Sequence, residues 1–172
     1  MDILLKKITL VDDRKLEVEY SEQNDEGYTV RDYSVKSQFP VHNDLKKAFR
    51  NLVPHLLLIN ELKSDKLKDL KKQELLDYDV HILHIKSKDS GDGIILSGTK
   101  RLSNHKVISL NTPYTLLDDE DYQYNTELSA DITLVINEAK EYLKGKFDDS
   151  QKDMFKQDPE EEETEEVLET VN

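Results

Sequence analysis

Five histidines, His42, His55, His81, His84 and His105, are the side chains best suited to hold a metal or move a proton in this chain, which has no Cys. The lack of Cys removes disulfides, thiolate zinc sites and a thiol nucleophile together. His81 and His84 have the i, i+3 spacing that a helix presents on one face. They fall in a predicted strand, where that spacing sends the two rings to opposite faces, and no third ligand accompanies them. Asp89-Ser90-Gly91-Asp92-Gly93 has the glycines and acids of a phosphate or cation loop. Phosphate-binding motifs open into a helix, whereas strands flank this one and no Gly-Lys-Ser/Thr is present, so it reads as a turn. The acid run Asp118-Asp119-Glu120-Asp121 lacks the alternating spacing of a calcium loop and reads as a solvated connection. Neither Gly-x-Ser-x-Gly nor His-Glu-x-x-His occurs. The expectation is a protein without catalytic residues, metal or cofactor.

A basic cluster is the next candidate. Lys46, Lys47 and Arg50 decorate a predicted helix, and Lys63, Lys66, Lys68, Lys71 and Lys72 follow, interleaved with Asp65, Asp69 and Glu74. A solvated helix surface explains the interleaved group. Lys46, Lys47 and Arg50 remain a candidate nucleic-acid contact, which would need base stacking on Tyr28 or Tyr33 beside it.

The elements that position these residues follow from periodicity. Leu16, Val18 and Tyr20 alternate with Lys15, Glu17 and Glu19, as in a half-buried strand. With segments 3–11 and 28–35 this predicts three antiparallel strands, the first pair joined through Asp12-Asp13-Arg14-Lys15. The period then changes. Leu45, Phe49, Leu52, Leu56 and Ile59 form a helical stripe, with Asn43 as expected N-cap and a kink at Pro54. A short second helix is expected over 63–76. Three more strands follow at 80–86, 94–102 and 106–110, with Ser103-Asn104-His105 as the last turn. Leu128, Ile132, Val135, Ala139 and Tyr142 mark a final helix, with Thr126 as expected cap and Gly145 as its stop. The expected fold is α+β: two sets of three antiparallel strands, in one sheet or two, each set followed by an amphipathic helix.

At 172 residues and 20.0 kDa the chain can bury one substantial core. Its charge is −13, from 37 acids against 24 bases, which argues against binding nucleic acid over the whole surface. The charge is uneven. Residues 147–172 carry eleven acids and two bases, so this tail holds −9 and the preceding 146 residues only −4. A segment of like charge with few apolar residues cannot offset its ordering entropy, so a single domain over 1–146 and a disordered acidic tail over 147–172 are expected. No apolar run approaches the roughly 20 residues of a membrane span, and Met1-Asp2-Ile3-Leu4-Leu5-Lys6-Lys7 lacks a signal-peptide pattern. The expected setting is the cytoplasm of a bacterial host, away from membranes.

One motif carries a mechanism. Gln151-Lys152-Asp153-Met154-Phe155 resembles the bacterial sliding-clamp binding motif, commonly Gln-Leu-Ser/Asp-Leu-Phe. Gln151, Asp153 and Phe155 match, Met154 stands for Leu, and Lys152 departs from the usual Leu. Met154 and Phe155 would enter an apolar groove while the Gln151 amide gives directional hydrogen bonds. The alternative role for the pair is a staple folded back under the final helix.

A wider resemblance accompanies it. Glu138-Ala139-Lys140-Glu141-Tyr142-Leu143-Lys144-Gly145-Lys146, followed by the 151–155 motif, is similar to the end of small uncharacterised proteins of phages and mobile elements of gut bacteria. Those show a Tyr-Leu-x-Gly-Lys run closed by Gln-x-x-Leu/Met-Phe, and Ile108-Ser109-Leu110-Asn111-Thr112-Pro113 is similar as well. The resemblance implies a phage-type origin among replication or recombination genes and supplies no activity of its own. The leading expectation is therefore a non-enzymatic accessory protein recruited to the sliding clamp, or another replication protein, through Gln151, Asp153, Met154 and Phe155. The alternative is an acidic inhibitor or DNA mimic acting on a host DNA-binding or defence enzyme.

Overall fold

Alternating apolar residues on successive hairpins build one antiparallel sheet. The computed structural model describes residues 2–12, 14–118 and 122–148. Strands β1 (Asp2–Val11), β2 (Lys15–Gln23) and β3 (Thr29–Lys36) form a meander, and helices α1 (Asn43–Asn51) and α2 (Val53–Ile59) follow. Strands β4 (Tyr78–Lys88), β5 (Gly91–Arg101), β6 (Val107–Asn111) and β7 (Thr115–Leu116) lead to helix α3 (Asn125–Leu143).

The two expected sets are joined. The strand order is β3-β2-β1-β4-β5-β6, with β7 also on β5, giving seven strands in one sheet. The joint is a three-pair ladder, Lys7↔His84, Ile8↔Leu83 and Thr9↔Ile82. Joining β1 to β4 brings two otherwise open strand edges together and sets Ile8 beside Leu83, both fully buried. The ladder stops at Lys7 and His84, although β1 begins at Asp2 and β4 runs on to Lys88. The extra strand, β7, pairs Gly93↔Leu116 and Ile94↔Thr115 on the side of β5 that β6 uses further along.

The helices cover one face. Ile8, Leu16, Leu83 and Ile94 from the sheet meet Leu45, Phe49 and Leu56 from α1 and α2 and Leu128, Val135 and Tyr142 from α3. At Gly98 the approach is close. A Cβ there would lie 2.1 Å from the Asp79 carbonyl oxygen and 2.7 Å from Leu56 Cδ2, so no larger residue fits between α2 and β5.

Local chemistry explains where the helices differ from expectation. The break falls at Leu52, and Pro54 sits in the first turn of α2, where its missing N–H costs no internal bond. The cap of α1 is His42 rather than Asn43. His42 is extended, and its Nδ1 accepts the Leu45 backbone N–H at 3.3 Å. Thr126 lies within α3, whose N-cap is Tyr124 without a side-chain bond. The expected helix over 63–76 is instead two 3₁₀ turns, Leu67–Asp69 and Lys72–Leu75. None of its residues is fully buried and of them Leu75 packs against the core from partial burial, too little apolar contact to stabilise a longer helix.

Gly145 ends α3 as expected. At φ +106° it lets its own N–H reach the Tyr142 carbonyl (2.9 Å) and the Lys146 N–H reach that of Glu141 (3.0 Å). The chain then returns to the domain. Phe147 bridges Val41, stacks on Phe39 at 4.5 Å between ring centroids and meets the Tyr142 ring at 5.0 Å; the Asp148 N–H donates to the Pro40 carbonyl at 3.1 Å. No helix among the described residues is long and apolar enough to cross a membrane.

Candidate functional site

Lys46, Lys47 and Arg50 do gather around one depression. The depression holds about 340 Å³ and is also lined by Leu10, Asn43, Phe49, Asp79 and Val80. Arg50 is committed elsewhere: its guanidinium donates to the Tyr78 carbonyl at 2.9 Å and pairs with the Asp79 carboxylate. No ion pair among the described residues engages Lys46 or Lys47, so these two carry the free positive charge. Tyr28 and Tyr33, the expected stacking partners, do not line the depression. Tyr33 lies on β3, stacked on Tyr20 at 4.9 Å and bonded to Glu22.

Two other histidines, each facing a carboxylate of α3, are placed more tightly than the sequence suggested. His55 on α2 is fully buried. Its Nε2 lies 3.2 Å from Asp131 Oδ2, and its Nδ1 lies 2.7 Å from the Tyr122 hydroxyl. A carboxylate only accepts, so Nε2 carries the proton and the Tyr122 O–H donates to Nδ1. Burial pushes the Tyr122 phenol upward from its ordinary value, followed by the nearby Tyr124 and Glu127. This favours the protonated phenol, the reverse of what a nucleophile needs. Asn51 reaches the other Asp131 oxygen at 3.4 Å. The network has a donor for every acceptor and locks α2 to α3.

His42 is the second. Nδ1 is used by the cap, and Nε2 faces Glu138 Oε2 at 3.7 Å, beyond hydrogen-bond reach. It is a buried polar atom without a partner. Lys146 occupies the same corner, donating to Glu138 at 2.7 Å and pairing with Asp44 at 3.0 Å. These two carboxylates hold the Lys146 ammonium above its ordinary pKa, Glu138 first, while Lys146 holds Asp44 below its own.

Ligand atoms of His42, Asp44 and Glu138 lie within 4.8 Å of one another, a spacing that suits a cation. The donor set opposes a metal. An imidazole that accepts at Nδ1 is protonated at Nε2 and has no lone pair to give there. An incoming ion would also have to displace the Lys146 ammonium. The cluster is an ion-pair node joining α1, α3 and the chain after α3.

His81 lies at the register shift of β4 between Val80 and Ile82, and His84 pairs across to Lys7 and Ile95. Of the expected turn at 89–93, Asp89 and Ser90 form the β4–β5 turn, and Gly91, Asp92 and Gly93 open β5. Gln151, Asp153, Met154 and Phe155 lie outside the described residues. The sequence reading missed the Tyr122–His55–Asp131 and His42–Glu138–Lys146 contacts. Their one visible signal is that Asp131 and Glu138 stand seven residues apart, two helical turns, on the flank of the apolar stripe of α3. No family model matches this chain, and no curated protein or solved structure matches it.

Proposed function

We propose that the chain is a non-enzymatic accessory protein whose folded domain is carried to a replication protein, the bacterial sliding clamp, by the 151–155 peptide. The observation that favours this reading is the fate of Phe147. It fills the aromatic seat against Phe39 and Tyr142, so the position under α3 that Met154 and Phe155 would take as a staple already has an occupant. The last described residue, Asp148, is tied to Pro40 three positions before Gln151, which gives the motif a fixed exit point on the domain. A short apolar pair on such a tether suits groove binding.

The charge distribution speaks against DNA mimicry by the domain. Mimicry needs carboxylates free on a rigid face, whereas Asp32, Glu19, Glu17, Asp79 and Glu74 are paired with Lys6, Lys7, Lys36, Arg50 and Lys63.

Calorimetric titration of the full chain into a sliding clamp tests the proposal. Binding near micromolar, about −8 kcal/mol, is expected, with loss of measurable heat in the Met154→Ala/Phe155→Ala variant and an unchanged melting temperature. No binding by the unaltered chain overturns it. A melting temperature lowered by the double substitution returns the pair to the domain's core.

A further inference from the structure

The three-pair ladder between β1 and β4 leaves a slot inside the sheet. Beyond Lys7 and His84, residues 2–5 of β1 and 85–88 of β4 are paired on their outer side, to β2 and β5, with Lys6 at a register shift of β1, but the two segments are not paired to each other. The slot holds about 540 Å³ and is lined by Leu4, Leu5, Ile85, Ser87 and His84, four lysines (Lys6, Lys7, Lys86, Lys88) and one acid, Glu19. Leu4 is 42 % exposed and Ile3 beside it 36 %. Two open strand edges, apolar side chains and excess positive charge describe a receptor for an extended, acidic, partly apolar peptide.

We propose that this slot receives, as an added strand, about four or five residues at the apolar end of the chain's own segment 160–171. The sequence of that segment is Glu-Glu-Glu-Glu-Thr-Glu-Glu-Val-Leu-Glu-Thr-Val. Its glutamates complement Lys86 and Lys88, which no ion pair among the described residues engages, whereas Lys6 and Lys7 are already held by Asp32 and Glu19. Val167, Thr170 and Val171 have strand propensity, and Val167, Leu168 and Val171 would supply apolar contacts for Leu4 and Ile85. The local field is already biased: His84 is held below the usual imidazole range, by burial first and then by Lys7 and Lys86.

Reach is ample. The chain leaves the domain beside the β1–β2 hairpin, where the Val41 N–H bonds the Arg14 carbonyl and Val41 bridges Phe147. From there to the slot is the length of β2 back to Tyr20, about 20 Å at ~3.3 Å per residue. The 24 residues after Asp148 span up to about 80 Å. A covalent tether also gives the segment an effective concentration on the order of millimolar. The inference does not use the 151–155 motif, so clamp binding and slot occupancy fail separately.

The absence of Cys makes the test direct. In the full chain, Val167→Cys paired with Ser87→Cys should form an intramolecular disulfide at least tenfold faster than Val167→Cys paired with Asn104→Cys, at the far end of the sheet. Lys86→Glu with Lys88→Glu should abolish that advantage. In a second measurement without cysteines, replacing Glu160, Glu161, Glu162, Glu163, Glu165 and Glu166 by Gln should speed amide exchange at residues 85–88 about tenfold. Equal disulfide rates, or exchange unchanged by the Gln replacements, overturn the proposal. A disulfide formed mainly between two molecules also overturns it, placing a second copy's tail in the slot instead.

Discussion

His42 and His55 do the same job at two ends of one helix. Each lies on the α1–α2 side, each turns Nε2 toward a carboxylate of α3, and the two carboxylates are two helical turns apart. They differ in completeness. His55 has a partner at both nitrogens, whereas His42 spends Nδ1 on the backbone of α1 and stops 3.7 Å short of Glu138. The difference is set by what else claims the carboxylate. Asp131 shares itself with an amide, and Glu138 is drawn to the ammonium of Lys146. A buried histidine thus becomes a structural bolt when its surroundings leave it two partners, and a cap with a spare proton when a stronger cation takes one of them.

Three substitutions sharpen the contrast, in decreasing size. His55→Ala leaves the Tyr122 hydroxyl and Asp131 without their common partner and opens a cavity, so a loss of about 3 kcal/mol is expected in urea denaturation. His42→Ala loses chiefly a cap and is expected to cost about 1–2 kcal/mol; a cost equal to that of His55→Ala would break the comparison. Lys146→Met is the mildest and is read through pH. The folded pKa of Lys146 is raised, so its stabilising contribution is complete below the ordinary value of 10.5 and lost as pH rises through the folded value. The folded pKa of Asp44 is lowered, so its share is present above 3.8 and lost as pH falls through its folded value. The stability difference between Lys146→Met and the unaltered chain should be constant near neutrality and shrink at both extremes. A difference that grew above pH 10.5 would refute the node.

What the sequence displayed was local order. The alternation at Leu16, Val18 and Tyr20, the stripe from Leu45 to Ile59 and the stop at Gly145 each rest on residues a few positions apart, and β2, the α1–α2 pair and the end of α3 appear there, although the caps fall on His42 and Tyr124 rather than Asn43 and Thr126. Features requiring distant partners were not legible. Nothing near Ile8 announces Leu83, and β7, two residues long, is too short to carry a period. The 63–76 segment shows the converse failure, because leucines at helical spacing predict a helix only if some surface buries them. For the candidate site, the basic residues of α1 were visible from composition, but the salt bridge that occupies Arg50 depends on Asp79, across the fold. His42 and His55 looked ordinary because their carboxylates lie 96 and 76 positions away.

The short seam between β1 and β4 also governs how the chain finds its fold. Every other ladder among the described strands joins neighbours that are consecutive in sequence or, for β5 and β7, nearly so. Such contacts form on the microsecond scale of isolated hairpins. Closing the roughly 77-residue loop between Lys7 and His84 costs about 4 kcal/mol of chain entropy before any constant term, and only three residue pairs and the apolar contact of Ile8 with Leu83 stand directly across it. Among the ladders of the described strands, the seam at the centre of the sheet is therefore the one that costs the most chain entropy to close.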